Sequence, residues 1–224
     1  MLKVLGHEIS RSSIRRLLAE AGIEPAPNRG MSWAGFLRAH WTGLFFHVEV
    51  LTPRGLVRYQ VLFVIELATR RVTIAGIVKD AYAEWTQNVF RGLTFDGDFL
   101  DGATHLIMNP DPVFNDALTR LLKDRGIQAV RLPPSSPNLN SYAERFVGAV
   151  RRECLGKVIP LSVSHLRWLL REFETHYNFE RPHQGLGNRL VEATAAANRP
   201  HGDTVLECIE RAGGLLRYYT RRAA

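Results

Sequence analysis

The sequence predicts an α/β fold in which helices flank a mixed five-stranded sheet. Three strand-like segments follow one another between residues 44 and 78, and turn signals separate them. Helix and strand patterns then alternate as far as residue 178. Hairpin-connected strands followed by alternating helices and strands are typical of a mixed sheet with helices on its faces.

The first three strands are apolar and β-branched runs bounded by turn residues. Their predicted ranges are 44–51, 57–67 and 71–78. Two short segments, Thr52-Pro-Arg-Gly55 and Ala68-Thr-Arg70, are suited to the hairpin turns between them.

Beyond residue 80 the apolar spacing becomes helical and short strands interrupt it. The predicted elements are helix 81–93, strand 105–108, helix 113–124, strand 128–132, helices 140–154 and 164–178, and a terminal strand at 213–220. Trp85 and Val89 show the i, i+4 spacing of one helix face. Asp111 is expected to form an Asx-type turn or to cap helix 113–124, with Pro112 at the first helical position.

Helix 140–154 has an apolar stripe that should face the core. Its members are Ala143, Phe146, Val147, Val150 and Cys154. Glu144 lies beside the stripe near the helix N-terminus, where the helix dipole alone would favour an acidic residue. Residues alone therefore leave Glu144 open to a structural or a functional interpretation.

The N-terminal region contains one amphipathic helix within residues 6–23. Arg11, Arg15 and Arg16 line its polar side, and Gly22 can end it. A single helix cannot bury its own apolar face, so the segment is expected to be the end of a larger helical unit. Prolines and an Asn-Arg-Gly stretch then predict a linker over 25–40.

The charge balance is basic, with 29 Lys and Arg against 22 Asp and Glu and a net charge of +7. Such a surplus suits nucleic acid, acidic partners or anionic membranes. No apolar run reaches membrane length. Cys154 and Cys208 have no metal-ligand spacing and are expected to be reduced thiols in an intracellular protein.

Four segments resemble the catalytic core of the DDE transposases and retroviral-type integrases, in particular the transposases of bacterial insertion sequences. They are TPRGLVRYQVLFVIELATRRV (52–72), RLPPSSPNLNSYAERFVGAVRRECL (131–155), HYNFERPHQGLGNRL (176–190) and ERAGGLLRYY (210–219). The resemblance runs from about Trp33 to the C-terminus. The helix at 6–23 is similar to the last part of the helix-turn-helix that precedes this core.

The resemblance implies a ribonuclease-H-like fold and DNA strand transfer. In such cores three acidic side chains hold two Mg²⁺ (or Mn²⁺) ions, one activating the nucleophile and one stabilising the leaving oxygen. The implied domains are a helix-turn-helix remnant at 1–24, the linker at 25–40, an integrase-like core at 41–190 and a C-terminal tail at 191–224.

The acidic triad of the family maps onto this sequence incompletely. The third acid corresponds to Glu144. The second corresponds to Asn109, which Phe114 follows five residues later and which precedes Glu144 by 35 residues. The first corresponds to Leu44, directly before Phe45. We therefore expect Mg²⁺ or Mn²⁺ to bind weakly or not at all, and this copy to be a catalytically inactive pseudoenzyme.

Other residues near these positions could in principle replace the missing acids. Strand alternation puts Leu44 and Val48 on one face and His47 and Glu49 on the other, so neither polar residue can take the place of residue 44. Asp111 is the remaining candidate ligand. An active enzyme that uses Asp111 together with Glu144 is therefore a further hypothesis, ranked last.

The resemblance also suggests partners. Arginines expected to contact double-stranded DNA are Arg145, Arg151, Arg152, Arg11, Arg15 and Arg16. Three residues of the 176–190 motif, Arg181, His183 and Gln184, are expected near the site, either holding the last core helix or forming a structural turn. The main alternative to a decayed transposase is a non-catalytic module that binds DNA or forms homo-oligomers or hetero-oligomers with an active transposase. Either protein would be cytoplasmic and nucleoid-associated in a bacterium.

Overall fold

The computed structural model describes residues 33–132, 141–192 and 204–223, together with Arg16 and Glu20. The chain divides into two compact units, Met1–Phe36 and Leu37–Ala224. In the first unit Arg16 and Glu20 are helical and form an exposed ion pair at 3.6 Å. The other two arginines predicted to contact DNA there, Arg11 and Arg15, lie outside the described residues.

A mixed five-stranded sheet forms the centre of the second unit, as predicted. Its strands are β1 (His40–Thr52), β2 (Gly55–Glu66), β3 (Val72–Val78), β4 (His105–Met108) and β5 (Gln128–Arg131). Their order across the sheet is β3-β2-β1-β4-β5. The first three strands are antiparallel neighbours, and β4 runs parallel to both β1 and β5.

Within residues 33–132, 141–192 and 204–223 the chain also contains five α-helices and a separate hairpin. The helices are α1 (Trp33–Ala39), α2 (Ala83–Leu93), α3 (Asp116–Asp124), α4 (Ser141–Val150) and α5 (Val163–Phe179). A π-helical turn over Arg151–Leu155 extends α4. Near the C-terminus β6 (Thr204–Arg211) and β7 (Leu216–Ala223) pair as an antiparallel hairpin. No helix in the described ranges is both long and apolar enough to cross a bilayer.

The centre of the sheet is buried on both faces, where β2 carries an uninterrupted apolar run. Leu62 and Val64 pack into one core cluster with Phe90 and Leu118, which come from α2 and α3. On the opposite face the Phe63 ring lies 4.8 Å from Phe146 of α4. An apolar run without polar alternation is what a strand covered on both sides requires.

Several predicted boundaries are wrong. The strand predicted at 44–51 begins at His40, because residues 40–43 pair with β4 on one side and with β2 on the other. Residues 33–39 of the predicted linker are helical, with Gly35 inside the helix, since the prolines and the Asn-Arg-Gly stretch that indicate a linker all precede Trp33. The prediction missed β6 entirely, since its sequence TVLECIER alternates weakly.

The helix predicted at 113–124 begins at Asp116. Its N-cap is Asn115, whose Oδ1 accepts the Leu118 N–H at 3.0 Å. Asp111 instead accepts the Val113 N–H at 3.1 Å, so the Asx-turn alternative is correct and the cap assignment is wrong. In α4 the apolar stripe is buried except at Val147, which is only partly covered.

A single asparagine joins α5 to the outer strand of the sheet. Asn178 Oδ1 accepts the Val72 N–H at 3.0 Å, and Asn178 Nδ2–H donates to the Val72 carbonyl at 2.8 Å. The amide thus pairs with an edge strand as a neighbouring strand would, and both residues are buried. Glu174 adds a third contact by accepting the Ile74 N–H at 3.3 Å.

The C-terminal hairpin is attached to the same helix by ion pairs. Arg211 Nε donates to Glu180 Oε1 at 2.6 Å, and Nη1 donates to Glu172 Oε2 at 3.3 Å. Glu180 also contacts His176 Nδ1 at 3.2 Å. Burial lowers the pKa of His176, and the hydrogen bond with Glu180 partly opposes that effect.

Replacing Asn178 with Ala should lower the free energy of unfolding by about 2–4 kcal/mol, because the buried Val72 N–H and carbonyl lose their partner together. Urea denaturation measures the change. Asn88→Ala is the matched control, since Asn88 is exposed and should change stability by less than about 0.5 kcal/mol. Equal losses in the two variants would contradict the edge-strand role.

Candidate functional site

The three positions that the sequence analysis matched to the acidic triad converge on one cleft. Leu44, Asn109 and Glu144 all line a cavity of about 430 Å³. We call it the triad cleft. Sequence reasoning predicted these positions from separate motifs, and the fold brings them together.

Strand pairing explains how the cleft forms. Gly43 of β1 is the parallel partner of Met108 of β4, so the next residues on each strand, Leu44 and Asn109, occur at the same level of the sheet. Leu44 is also paired with Phe63 of β2, whose ring packs on Phe146 of α4. This packing holds the first turn of α4, which carries Glu144, beside Leu44 of β1 and the end of β4.

The donor set of the triad cleft is poor for divalent metal ions. Leu44 is a hydrocarbon and 8% exposed. Asn109 supplies a neutral amide and Glu144 an exposed carboxylate. Within the described ranges, no group of three or more His, Cys, Asp or Glu side chains is arranged to hold a metal ion. These side chains do not fit a pair of Mg²⁺ ions, which needs several anionic oxygens.

A cation shares the triad cleft with the carboxylate. Arg151 lines it beside Glu144, and the remaining lining residues carry no carboxylate. His47 is exposed at the rim and its Nε2 lies 3.3 Å from Gln60 Nε2. The cleft therefore carries one formal negative and one formal positive charge, where paired metals would require an excess of negative charge.

The two substitute carboxylates considered from sequence do not line the triad cleft. Asp111 lines a neighbouring hollow, which shares Asn109 with the triad cleft and also contains Asp116 and Arg131. Arg131 forms an ion pair there with Asp116 at 2.8 Å. Glu49 points away from Leu44, as strand alternation predicts, and pairs with Arg58 at 3.6 Å. The structure does not bring either carboxylate into the triad cleft.

A second and larger cleft lies along another side of α4. It has a volume of about 610 Å³, and its lining includes Arg70, Arg145, Arg152 and Arg181. We call it the arginine cleft. Arg145 and Arg152, both predicted to contact DNA, line it, whereas Arg151 lines the triad cleft. Helix α4 thus separates two sites of different charge.

The turn that follows α5 closes one end of the arginine cleft. Arg181 donates two hydrogen bonds to Glu153, at 2.9 and 2.8 Å, and this pairing raises the Arg181 pKa. His183 Nε2–H donates to the Tyr177 carbonyl at 2.9 Å. Gln184 is exposed at the rim. Arg181 and His183 therefore attach the turn to α5 and to the π-helical turn.

Sequence reasoning did not identify Arg70 as a site residue. It lies in the turn between β2 and β3, and its guanidinium carbon is 3.4 Å from the centre of the Tyr142 ring. The pattern Ala68-Thr-Arg70 indicated only a hairpin turn. Its position opposite α4 depends on packing between distant segments, which no local pattern reports.

Comparison with known proteins finds partial matches to one family. The family model described as "Integrase core domain" matches residues 125–190. The chain is 36% identical over 76 residues to the insertion element IS476 uncharacterized 39.2 kDa protein of Xanthomonas euvesicatoria, covering 34% of this chain and 22% of the relative. It is 29% identical over 87 residues to the insertion element IS407 uncharacterized 31.7 kDa protein of Burkholderia multivorans, covering 39% and 31%. The alignments thus span less than a third of either relative.

Solved structures show the fold. The catalytic domain of the Mos1 mariner transposase has a TM-score of 0.51 and 15% identity, over 75% of this chain and 84% of that one. The HTLV-2 integrase catalytic core domain in complex with magnesium, in its trimeric form, has a TM-score of 0.51 and 13% identity, over 69% and 93%. The chain has the ribonuclease-H-like fold of these catalytic cores, as the sequence motifs predicted.

Acidification should destabilise the protein through His183. Burial lowers its folded-state pKa below that of the unfolded chain. The unfolded state therefore takes up the proton first, and stability present above about pH 6.5 is lost as the pH falls. His183→Gln, which keeps a donor for the Tyr177 carbonyl, should flatten the decline between pH 7 and 5 by up to about 1.4 kcal/mol per pH unit. Urea titrations across this range test it, and an unchanged slope would contradict it.

Proposed function

We propose that this chain is the integrase core of an insertion-sequence transposase, that it binds double-stranded DNA, and that it no longer performs two-metal phosphoryl transfer. The observation that carries the proposal is the convergence of Leu44, Asn109 and Glu144 on one cleft with a single carboxylate among them. The same cleft with three carboxylates would be suited to two metal ions.

Charge explains why the loss matters. Two divalent cations a few ångströms apart repel each other strongly inside a protein, and anionic ligands must offset that repulsion. Glu144 offers one negative charge, which Arg151 at the same cleft opposes. The Asn109 amide oxygen can ligate a cation but adds no charge. Mg²⁺ or Mn²⁺ binding is therefore expected to be weak or absent.

The proposal leaves the chain with a DNA-binding role. The net charge of +7 and the arginines along α4 suit a phosphate backbone. We further propose that it forms homo-oligomers or joins an active transposase in the bacterial cytoplasm, where an inert subunit would inhibit or assist its partner. The proposed domains are a helix-turn-helix-like segment at 1–24, the linker at 25–40, the core at 41–190 and the tail at 191–224.

An active enzyme that uses Asp111 is the weaker candidate. The Asp111 carboxylate accepts a hydrogen bond from the Val113 N–H and lines a hollow with Arg131 rather than the triad cleft. Recruiting it would require the turn after β4 to rearrange.

Restoring the two carboxylates should restore metal binding. We expect Leu44→Asp/Asn109→Asp to bind Mn²⁺ at least about tenfold more tightly than the unchanged chain, because each added carboxylate offsets cationic charge. Electron paramagnetic resonance of free Mn²⁺ measures the occupancy, and circular dichroism checks folding.

The matched control adds Glu144→Gln to the double variant and should lose the gained affinity. Asn109→Asp alone, which leaves Leu44 in place, should give an intermediate value. Tight binding of two Mn²⁺ ions by the unchanged chain, abolished by Glu144→Gln, would refute the proposed loss of catalysis.

Binding to duplex DNA should not need metal. In EDTA, affinity measured by fluorescence anisotropy should fall about 40-fold between 50 and 200 mM salt if three phosphates are contacted. No detectable binding at 50 mM salt would rule out the DNA-binding role.

A further inference from the structure

The arginine cleft contains a residue whose backbone conformation is unusual for its type. Arg70 has a φ of 74°, in the left-handed region that glycine and asparagine adopt most readily. The other hairpin turn of the sheet uses Gly55, with a φ of 100°, for such a conformation. The hairpin turn by itself therefore does not explain why residue 70 is an arginine. The strained backbone at this residue indicates a role for the Arg70 side chain.

The Arg70 side chain retains unused hydrogen-bonding capacity. Its guanidinium stacks on the ring of Tyr142, and its buried Nε–H has no hydrogen-bond partner among the described residues. Burial, the largest effect, lowers its pKa, and the nearby Arg145 acts in the same direction. An anion bound in the cleft would accept hydrogen bonds from the Arg70 guanidinium and would offset its positive charge.

The cleft as a whole has a strong positive charge. Four arginines line it, and its described lining includes no carboxylate. Glu153 pairs with Arg181 from outside that lining, which leaves Arg70, Arg145 and Arg152 as the cations facing the cavity. Guanidinium groups bind phosphate oxygens through two parallel hydrogen bonds, which makes phosphate the best-matched anion.

A glycine allows one of these cations to lie against the helix. A Cβ at Gly148 would come within 3.0 Å of Arg152 Nη1. Gly148 lines the triad cleft, while Arg152 lines the arginine cleft. The absence of a side chain at residue 148 therefore lets the Arg152 guanidinium fold back along α4.

We propose that the arginine cleft is a phosphate-binding subsite for a nucleic-acid strand, formed by Arg70, Arg145 and Arg152 and independent of any metal. Its volume of about 610 Å³ is that of a small-ligand site. This inference rests on the proposed DNA-binding function and assigns it a specific site, beside α4 and separate from the triad cleft.

The test measures duplex affinity in EDTA together with thermal stability. Arg70→Gly removes the cation and relieves the backbone, so affinity should fall about tenfold while the melting temperature stays the same or rises. Arg152→Gln should also weaken binding about tenfold. Arg54→Gln is the matched control because it removes an exposed arginine from the other hairpin turn, and it should change affinity less than about twofold.

Titration of inorganic pyrophosphate in EDTA identifies the source of the phosphate. Duplex affinity that depends on Arg70 and Arg152 but not on Arg54 supports the proposal, with or without pyrophosphate binding. If pyrophosphate binding requires Arg70 but duplex binding does not, the ligand is a free phosphate compound and the nucleic-acid assignment is wrong.

Three further outcomes separate this inference from the DNA-binding function. Normal duplex affinity in both cleft variants, with no pyrophosphate binding to the unchanged chain, overturns the subsite and leaves the function standing. A lower melting temperature in Arg70→Gly with unchanged duplex affinity would assign Arg70 a structural role and overturn the proposal. Absence of any duplex binding by the unchanged chain would overturn both the phosphate-binding subsite and the DNA-binding function.

Discussion

The parallel pairing of β1 with β4 is the constraint on which the candidate site depends. It brings the residues after Gly43 and Met108 to one level of the sheet, and the contact between Phe63 and Phe146 sets α4 beside them. This arrangement would bring together any side chains at positions 44, 109 and 144. Strand pairing and aromatic packing therefore form the triad cleft.

Because packing forms the cleft, a catalytic role could disappear through changes at residues 44 and 109 without loss of the fold. A leucine at residue 44 removes a buried charge, and an asparagine at residue 109 keeps the shape and much of the polarity of an aspartate. Neither change disturbs the apolar run of β2 or the amide of Asn178 that joins α5 to β3. Helix α4 then remains as a support for positive charge on two sides, at Arg151 and at Arg145 with Arg152.

The sequence predicted the strands and helices of the sheet domain well because each has a strong local signal. The strand boundaries that the sequence did not predict depend on pairing with residues that are distant in the sequence. His40–Gly43 is extended because β2 and β4 lie on either side of it, and β6 exists because β7 pairs with it. The convergence of Leu44, Asn109 and Glu144 on one cleft was predictable because the motifs around them are specific. Arg70 could not be found in this way, since its position against Tyr142 arises only when the β2–β3 turn meets α4.

The central claim is that one carboxylate cannot hold the two divalent ions that phosphoryl transfer uses. Anomalous diffraction from crystals soaked in Mn²⁺ tests it most directly, because each bound ion gives its own peak. The account predicts at most one weak peak near Glu144. Two strong peaks about 3.5–4 Å apart in the triad cleft would contradict it.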